Sequence, residues 1–423
     1  MYVESVTPAA IIRIFCPEIM ITENYILWLY LVIALGGAIS AYCAPFRPLA
    51  GGIFYLTGIP IVVALGQLFL PQVIPWGAQL SLLLGYITLV QSWLSPSNLL
   101  DLTAAEKEEL KACFTNDLFQ LQSLQLEPDR VVCLGKCKTD RYQYIQQELQ
   151  CRISHIYPER FHVVLAQRLF QPPSCYLLPV VRSQASVVVW SRILAVIGAI
   201  LLAQNSWVYS LGLMGILGAR ELTRAKIGLR FKLSPLLTIP GGEDLPIVGM
   251  GRNLAIPPAD RRTYFRLGVA PALVGLVLSL LLLIPGWLVA LPTEGEMVLP
   301  TWLGQVLGAK LQGLPPWGRA GWHGLIITAL GLLPIGSSEG GHLLHSLLGH
   351  SKAVLIGRLS RLVLFAISLS RYHILLFPAL LLLWLDIERL PALNDVDELS
   401  EGEDLMAIGL LVLGILILFP GAG

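Results

Sequence analysis

Gly218-Ala219-Arg220-Glu221-Leu222-Thr223-Arg224 closes an apolar run that opens near Trp207. If the run is helical, Arg220 and Arg224 lie one turn apart on one face, with Glu221 next to the first of them. That i, i+4 spacing suits a metal-binding helix. The residue type does not: a guanidinium offers only donors and stays protonated in proteins. The rest of the chain has to explain why an apolar helix ends on these charges.

The chain has 423 residues, of which 55% are hydrophobic and 13% charged. An ordinary soluble domain carries about 25% charged residues. The composition therefore favours a polytopic membrane protein. A net charge of +1 gives no reason to expect a nucleic-acid partner. Seven cysteines are scattered without a paired Cys-x-x-Cys, which suits free thiols in a reducing compartment. Met1–Asn24 lacks a cationic region before its first apolar run and does not read as a secretory or transit segment.

Three regions follow from composition. Residues 1–100 hold apolar runs at Tyr25–Ala44, Leu49–Leu70 and Trp76–Leu94, each close to the roughly 20 residues that cross a bilayer as helix. Residues 101–183 are polar and mixed in charge, and read as a small soluble α/β domain of ferredoxin-like order. Helices are expected at Ala104–Phe119 and Tyr142–Ile156, strands at Arg130–Leu134, Phe161–Leu165 and Cys175–Val181, and a turn at Gly135. Lys136, Lys138 and Arg141 read as a solvated face. Residues 184–423 return to the membrane. Runs are expected at Ser186–Ala203, which carries Arg192, and at Trp207–Ala219, Tyr264–Val289, Trp322–Leu348, Val354–Leu369, Ile374–Leu385 and Leu405–Phe419. Whether 186–219 makes one span or two stays open. Basic residues after Arg224 and near residue 350 place those loops in the cytoplasm. The acidic stretch Asp386–Asp404 reads as a solvated loop.

A second motif interrupts Trp322–Leu348. Gly331-Leu332-Leu333-Pro334-Ile335-Gly336-Ser337-Ser338-Glu339-Gly340-Gly341 breaks an apolar helix with proline and glycines beside a carboxylate. Such a break is tolerated at membrane depth only against protein or a wet cavity. A carboxylate there is a functional-site hypothesis. Taken with the Arg-Glu-x-x-Arg segment, the chain resembles the site-2 protease family of intramembrane zinc metalloproteases, in particular its EGY branch of plastids and cyanobacteria. The resemblance covers roughly residues 100–420. Gly268–Pro271 and Ile239–Gly251 add to it.

The resemblance implies a site-2 protease-like helical core with an inserted α/β domain, in a cyanobacterial or plastid membrane. It places the two zinc-ligand histidines of the family at Arg220 and Arg224, the general base at Glu221, and the third ligand at Glu339. The family's Asn falls on Gly331, and Pro334, Gly340 and Gly341 hold the structural positions of the break. No confident metal site remains, so neither zinc nor another cofactor is expected. The implied function is a proteolytically inactive homologue: a scaffold, regulator or chaperone-like partner of membrane proteins or of active protease relatives, in contact with the lipid bilayer. Two alternatives stay open, an active metalloendopeptidase with altered ligands and a transport or permeation protein. For the arginines themselves two readings compete. They pair with Glu221 and Glu339 where the cation would have been, or they snorkel to the cytoplasmic surface. His342 and His345 share a helix face after Glu339 and could offer a replacement metal site; His323 and His373 read as interfacial.

Overall fold

The computed structural model describes residues 102–418 apart from short stretches, the longest being 180–192 and 292–300. The three apolar runs before residue 100 lie outside the described residues, as do Arg192 and His373. What is described is mostly helical, with a small α/β unit at its N-terminal end.

That unit is built from α1 (Ala104–Cys113), β1 (Phe119–Glu127), β2 (Arg130–Cys137), α2 (Tyr142–Ile156), β3 (Phe161–Gln167) and β4 (Pro173–Pro179). The order is a helix and a hairpin, twice. The sheet runs β1-β2-β4-β3, antiparallel throughout. The sheet with its two helices on one face agrees with the α/β expectation, but a ferredoxin-like chain begins on a strand and this one begins on a helix. Leu110 and Cys113 of α1 and Ile145, Leu149 and Ile153 of α2 close over Val131, Cys133, Val163 and Leu177. Thr103 and Glu106 form a capping box at the start of α1. The Arg160 hydrogen bond, with those from Thr103, holds the Glu106 carboxyl down at about 2.

Two local expectations need correction. Helix α1 stops at Cys113, because Phe114 is already extended, and Phe119 opens a strand. The alternation in Phe119-Gln-Leu-Gln-Ser-Leu-Gln-Leu-Glu127 is the strand signal there. Gly135 is not a turn; it lies inside β2. A Cβ at that position would sit 2.2 Å from the Gln120 carbonyl and 2.6 Å from the Phe119 ring, so the strand needs glycine for close approach.

The helical body follows: α3 (Trp207–Ile227), a hairpin of β5 (Leu233–Pro240) and β6 (Ile247–Leu254), α4 (Arg261–Val289), α5 (Trp302–Leu307), α6 (Pro316–Gly331), α7 (Glu339–Leu348), α8 (His350–Ser370), α9 (Leu376–Trp384) and α10 (Glu401–Leu418). Helix α4 is the centre, packed against α3, α6 and α7. Small residues set that closeness. A Cβ on Gly286 would meet the Gly318 Cα at 2.7 Å, and one on Gly321 the Ser279 carbonyl at 2.7 Å. Among the described residues, α4 alone is long and apolar enough to cross a membrane by length and composition. The expected run Trp322–Leu348 is divided between α6 and α7, and Ile374–Leu385 holds only the nine-residue α9. Helices α3, α8 and α10 each carry at least three charged residues.

The acidic stretch 386–404 is not simply a solvated loop. Leu390 and Leu393 pack on Val132, Val164, Tyr176 and Leu178, the sheet face opposite α1 and α2. Asn394 bridges both β3 and the start of α4 through Leu165 and Asp260. Asp395 is fully buried. Its Oδ1 lies 2.8 Å from His345 Nε2 and 3.5 Å from Arg261 Nε, and its Oδ2 accepts from the His350 N–H at 2.7 Å. Residues 390–395 thus tie the α/β unit to α4 and α7.

Burial alone would push the Asp395 carboxyl up, but the His345 charge and hydrogen bond, with Arg261, outweigh it and hold the group below its usual value. A depressed carboxyl stabilises the fold above its unfolded value, about 3.9, and loses that contribution as pH falls through the folded one. Asp395→Ala should therefore cost about 3–5 kcal/mol at neutral pH, since it leaves buried cationic partners behind. Thermal melts from pH 5 down to pH 2 should show a flatter acid limb in Asp395→Asn than in the parent.

Candidate functional site

Helix α3 delivers both arginines to the interior. Ser206 caps it by accepting from the Tyr209 N–H, and the helix runs unbroken to Ile227, so Arg220 and Arg224 stack one turn apart. Each side chain is 2% exposed. Burial of this degree is against the snorkelling reading and leaves the arginines to find carboxylate partners inside the protein.

Glu339 comes from the other side, as the first residue of α7. Helix α6 ends at Gly331, and the intervening segment turns through Gly336, whose φ of 50° is left-handed. Ser338 caps α7 by accepting from the Gly341 N–H at 3.0 Å and donates to the Leu333 carbonyl at 2.7 Å. Gly340 is required by proximity: a Cβ there would fall 1.9 Å from the Leu332 carbonyl oxygen. The break expected at Pro334–Gly341 is thus a compact corner that points a carboxylate, fully buried, at α3.

One oxygen of that carboxylate serves both arginines. Glu339 Oε1 accepts from Arg220 Nη2 at 2.6 Å and from Arg224 Nη2 at 2.5 Å. Arg224 also pairs with Glu221 through Nη1, and its Nη2 reaches the Met250 carbonyl at 3.4 Å. Arg252 of β6 extends the chain of charges, with Nε 3.3 Å from Glu221 Oε2. Two guanidiniums and two carboxylates leave the inner cluster formally neutral. Arg252, 24% exposed, sits at its rim.

Glycines make room for this. A Cβ on Gly331 would lie 2.7 Å from Glu339 Oε2 and 2.8 Å from Arg220 Nη2. A Cβ on Gly275 of α4 would lie 2.8 Å from Arg220 Cδ. Gly331 also borders a small cavity of about 40 Å³, shared with Met250 and Gly251 of β6 and with Leu364 and Leu382 of α8 and α9.

The histidines go elsewhere. His345 stacks on Tyr264 at 4.1 Å between ring centroids and turns its Nε2 to Asp395, and His342 lies tilted against the same ring at 5.3 Å. His323 is not interfacial: it is buried in α6 with Nδ1 2.7 Å from the Tyr209 hydroxyl. Among the described residues, no group of three or more His, Cys, Asp or Glu is placed to hold a metal. Lys136, Lys138 and Arg141 are exposed, as a solvated face should be. Sequence reasoning missed Asp395 and Arg252. The first is masked by its acidic surroundings, though the preceding Leu390-Pro391-Ala392-Leu393 is an apolar signal. Arg252 stands among loop cations and carries no pattern of its own.

Protein-family models, curated proteins and solved structures were all compared with the chain, and none matches.

Two glycine substitutions and a double-mutant cycle test the cluster. Gly331→Ala should destabilise by about 1–3 kcal/mol, because the added carbon wedges between Arg220 and Glu339. Gly218→Ala, on the same helix as the arginines but with nothing within 4 Å, should stabilise by up to about 1 kcal/mol. In a double-mutant cycle, Glu339→Ala should cost about 3–5 kcal/mol. Adding Arg220→Ala should recover part of that, since Glu339 is the one ionic partner of Arg220 among the described residues while Arg224 keeps Glu221. Melting temperatures of the four proteins give the coupling.

Proposed function

We propose that this chain is a membrane-embedded homologue of the site-2 protease family whose zinc centre has become an ion-pair brace. It acts without proteolysis, as a scaffold, regulator or chaperone-like partner of membrane proteins. The observation that carries this reading is the shared oxygen of Glu339. The three positions that the resemblance assigns to zinc ligands converge in space, as ligands of one site would, yet two of them are cations that fill the place of the ion. A further dication there would meet two fixed positive charges and find one carboxylate oxygen already taken by both.

Glu221 occupies the general-base position in the resemblance. In this fold its two oxygens face Arg224 and Arg252. Both oxygens are thus turned to guanidiniums of this chain rather than to a site where a water could be activated. That favours the inactive reading over the altered-ligand protease.

The outer faces support a lipid environment. Leu273, Val277, Leu281, Ile284 and Leu288 of α4 are exposed, as are Leu355, Leu359 and Val363 of α8 and Leu405, Ile408, Val412 and Leu416 of α10. An apolar surface of this extent marks a membrane or a protein interface. The setting that the resemblance implies is a cyanobacterial or plastid membrane.

Metal analysis tests the proposal. Protein purified from membranes without chelator should hold less than about 0.1 zinc per chain, because one carboxylate does not make a closed site. Arg220→His/Arg224→His/Glu339→Asp should raise zinc retention several-fold above the parent. Zinc near one equivalent in the parent, with cleavage of a membrane substrate that Glu221→Gln abolishes, would overturn it.

A further inference from the structure

We infer that Glu221 and Arg252 form a latch that holds β6 closed over the apolar cavity beside Glu339. The residue left over from a base position would then control access to that cavity.

Four observations lead there. First, β5 and β6 make a sheet of two strands only, and an isolated hairpin is marginal in water, so it depends on what it packs against. Second, the hairpin is tied to α3 at Met250–Arg252: Arg224 donates to the Met250 carbonyl, and Arg252 faces Glu221. Third, the space directly under this stretch is imperfectly filled. Gly249, Met250 and Gly251 form one wall of the cavity, and Leu330, Leu364 and Leu382 the other. Fourth, the latch is held more loosely than the brace behind it: Arg252 Nε and Glu221 Oε2 face each other without a hydrogen bond, and their side chains lie nearer the surface. Glu221 is 15% and Arg252 24% exposed, whereas Arg220, Arg224 and Glu339 are at 2% or below.

The gradient in burial divides the labour. Breaking the inner pairs strands charges away from water and is costly. The outer pair has no hydrogen bond between its facing atoms, and both side chains reach the surface, so it can part at smaller cost. Local opening with low free energy is drawn from such weakly held segments. Lifting Met250–Arg252 would widen a space of about 40 Å³ into a slot continuous with the surface, while the brace stays intact. That the slot then receives an apolar segment of a membrane protein rests on the reading under Proposed function; the latch is measurable without any partner.

The reporter is a thiol at position 249. Gly249 lines the cavity and is buried, and a Cβ there makes only ordinary contact, 3.6 Å from Ile239 Cδ1. A thiol reacts as thiolate and so needs water to reach it. The full chain bearing Gly249→Cys, in detergent, is treated with methyl methanethiosulfonate, and modification at position 249 is followed by peptide mass spectrometry, which separates it from the native cysteines. Adding Arg252→Ala, which leaves every pair of the inner cluster in place, should raise the rate at that position by about fivefold or more. Arg252→Lys should stay within about twofold of the parent, since a pair without a hydrogen bond needs the charge more than the planar donor. Arg262→Ala breaks an outlying pair with Glu403 and should leave the rate unchanged. Equal rates in the parent and in Arg252→Ala would overturn the latch. So would an equal rise in Arg262→Ala, which would mean general loosening. Because no partner is present, a failed latch and a failed scaffold reading are told apart: zinc content reports on the second and thiol reactivity on the first.

Discussion

Glu339 Oε1 accepts from two guanidiniums where water does not reach, and much of the helical body is shaped by that demand. Removing a carboxylate and two arginines from water costs several kcal/mol per ion before any attraction is counted. The cluster is tolerable because the charges cancel and the contacts are short. Its geometry is then imposed on the neighbours. Helix α3 must stay straight through Arg224 to stack both arginines. Helix α6 must end at Gly331, where any side chain would enter the pair. Helix α4 must present Gly275 where the Arg220 stem passes. These glycines are the negative image of a guanidinium.

Helix α7 shows how the two buried ionic centres cooperate. It has ten residues, too few to be stable alone. Its first residue, Glu339, sits at the positive end of the helix dipole and is bound by Arg220 and Arg224. His345, in its last turn, sits toward the negative end and is bound by Asp395. The helix is pinned at both ends by groups that also suit its dipole. The Asp395 end reaches the α/β unit: Leu165 donates its N–H to the Leu393 carbonyl at 2.9 Å and accepts from the Asp395 N–H at 3.1 Å. A displacement of the α/β unit would therefore load α7 through a chain of short polar contacts.

Much of this organisation was legible in the residues, and the exceptions have physical causes. Helix Tyr142–Ile156 was readable to the residue, because its apolar positions keep one period and Tyr157 ends it. The corner at Pro334–Gly341 was readable because proline and glycine act locally. Strand β1 was obscured by α1 just before it, whose apolar positions can be continued across Leu118 and Phe119. Burial of Asp395 could not be read from its neighbours, since it is set by tertiary partners at residues 261, 345 and 350. The pairing of Arg220 with Glu339 lies between these cases. The residues were conspicuous, but only a fold that brings positions 119 apart in sequence into contact could choose pairing over snorkelling.

Arg220, Arg224, Gly331 and Glu339 share one space, so their identities constrain one another. On the reading proposed above, a zinc dication with an aspartate and a glutamate base carries no net formal charge, and two arginines with Glu339 and Glu221 carry none either. An arginine at one ligand position alone would leave an unbalanced buried cation beside an unfilled metal site. Exchanging both restores the balance but brings in two bulky planar groups. The room for one of them comes from position 331, where an amide side chain could not coexist with the Arg220–Glu339 contact. On that reading, glycine at 331, arginine at 220 and 224 and a carboxylate at 339 are parts of a single substitution, each tolerable only in the presence of the others. A centre of that kind is a stable solution in its own right rather than a damaged site awaiting its metal.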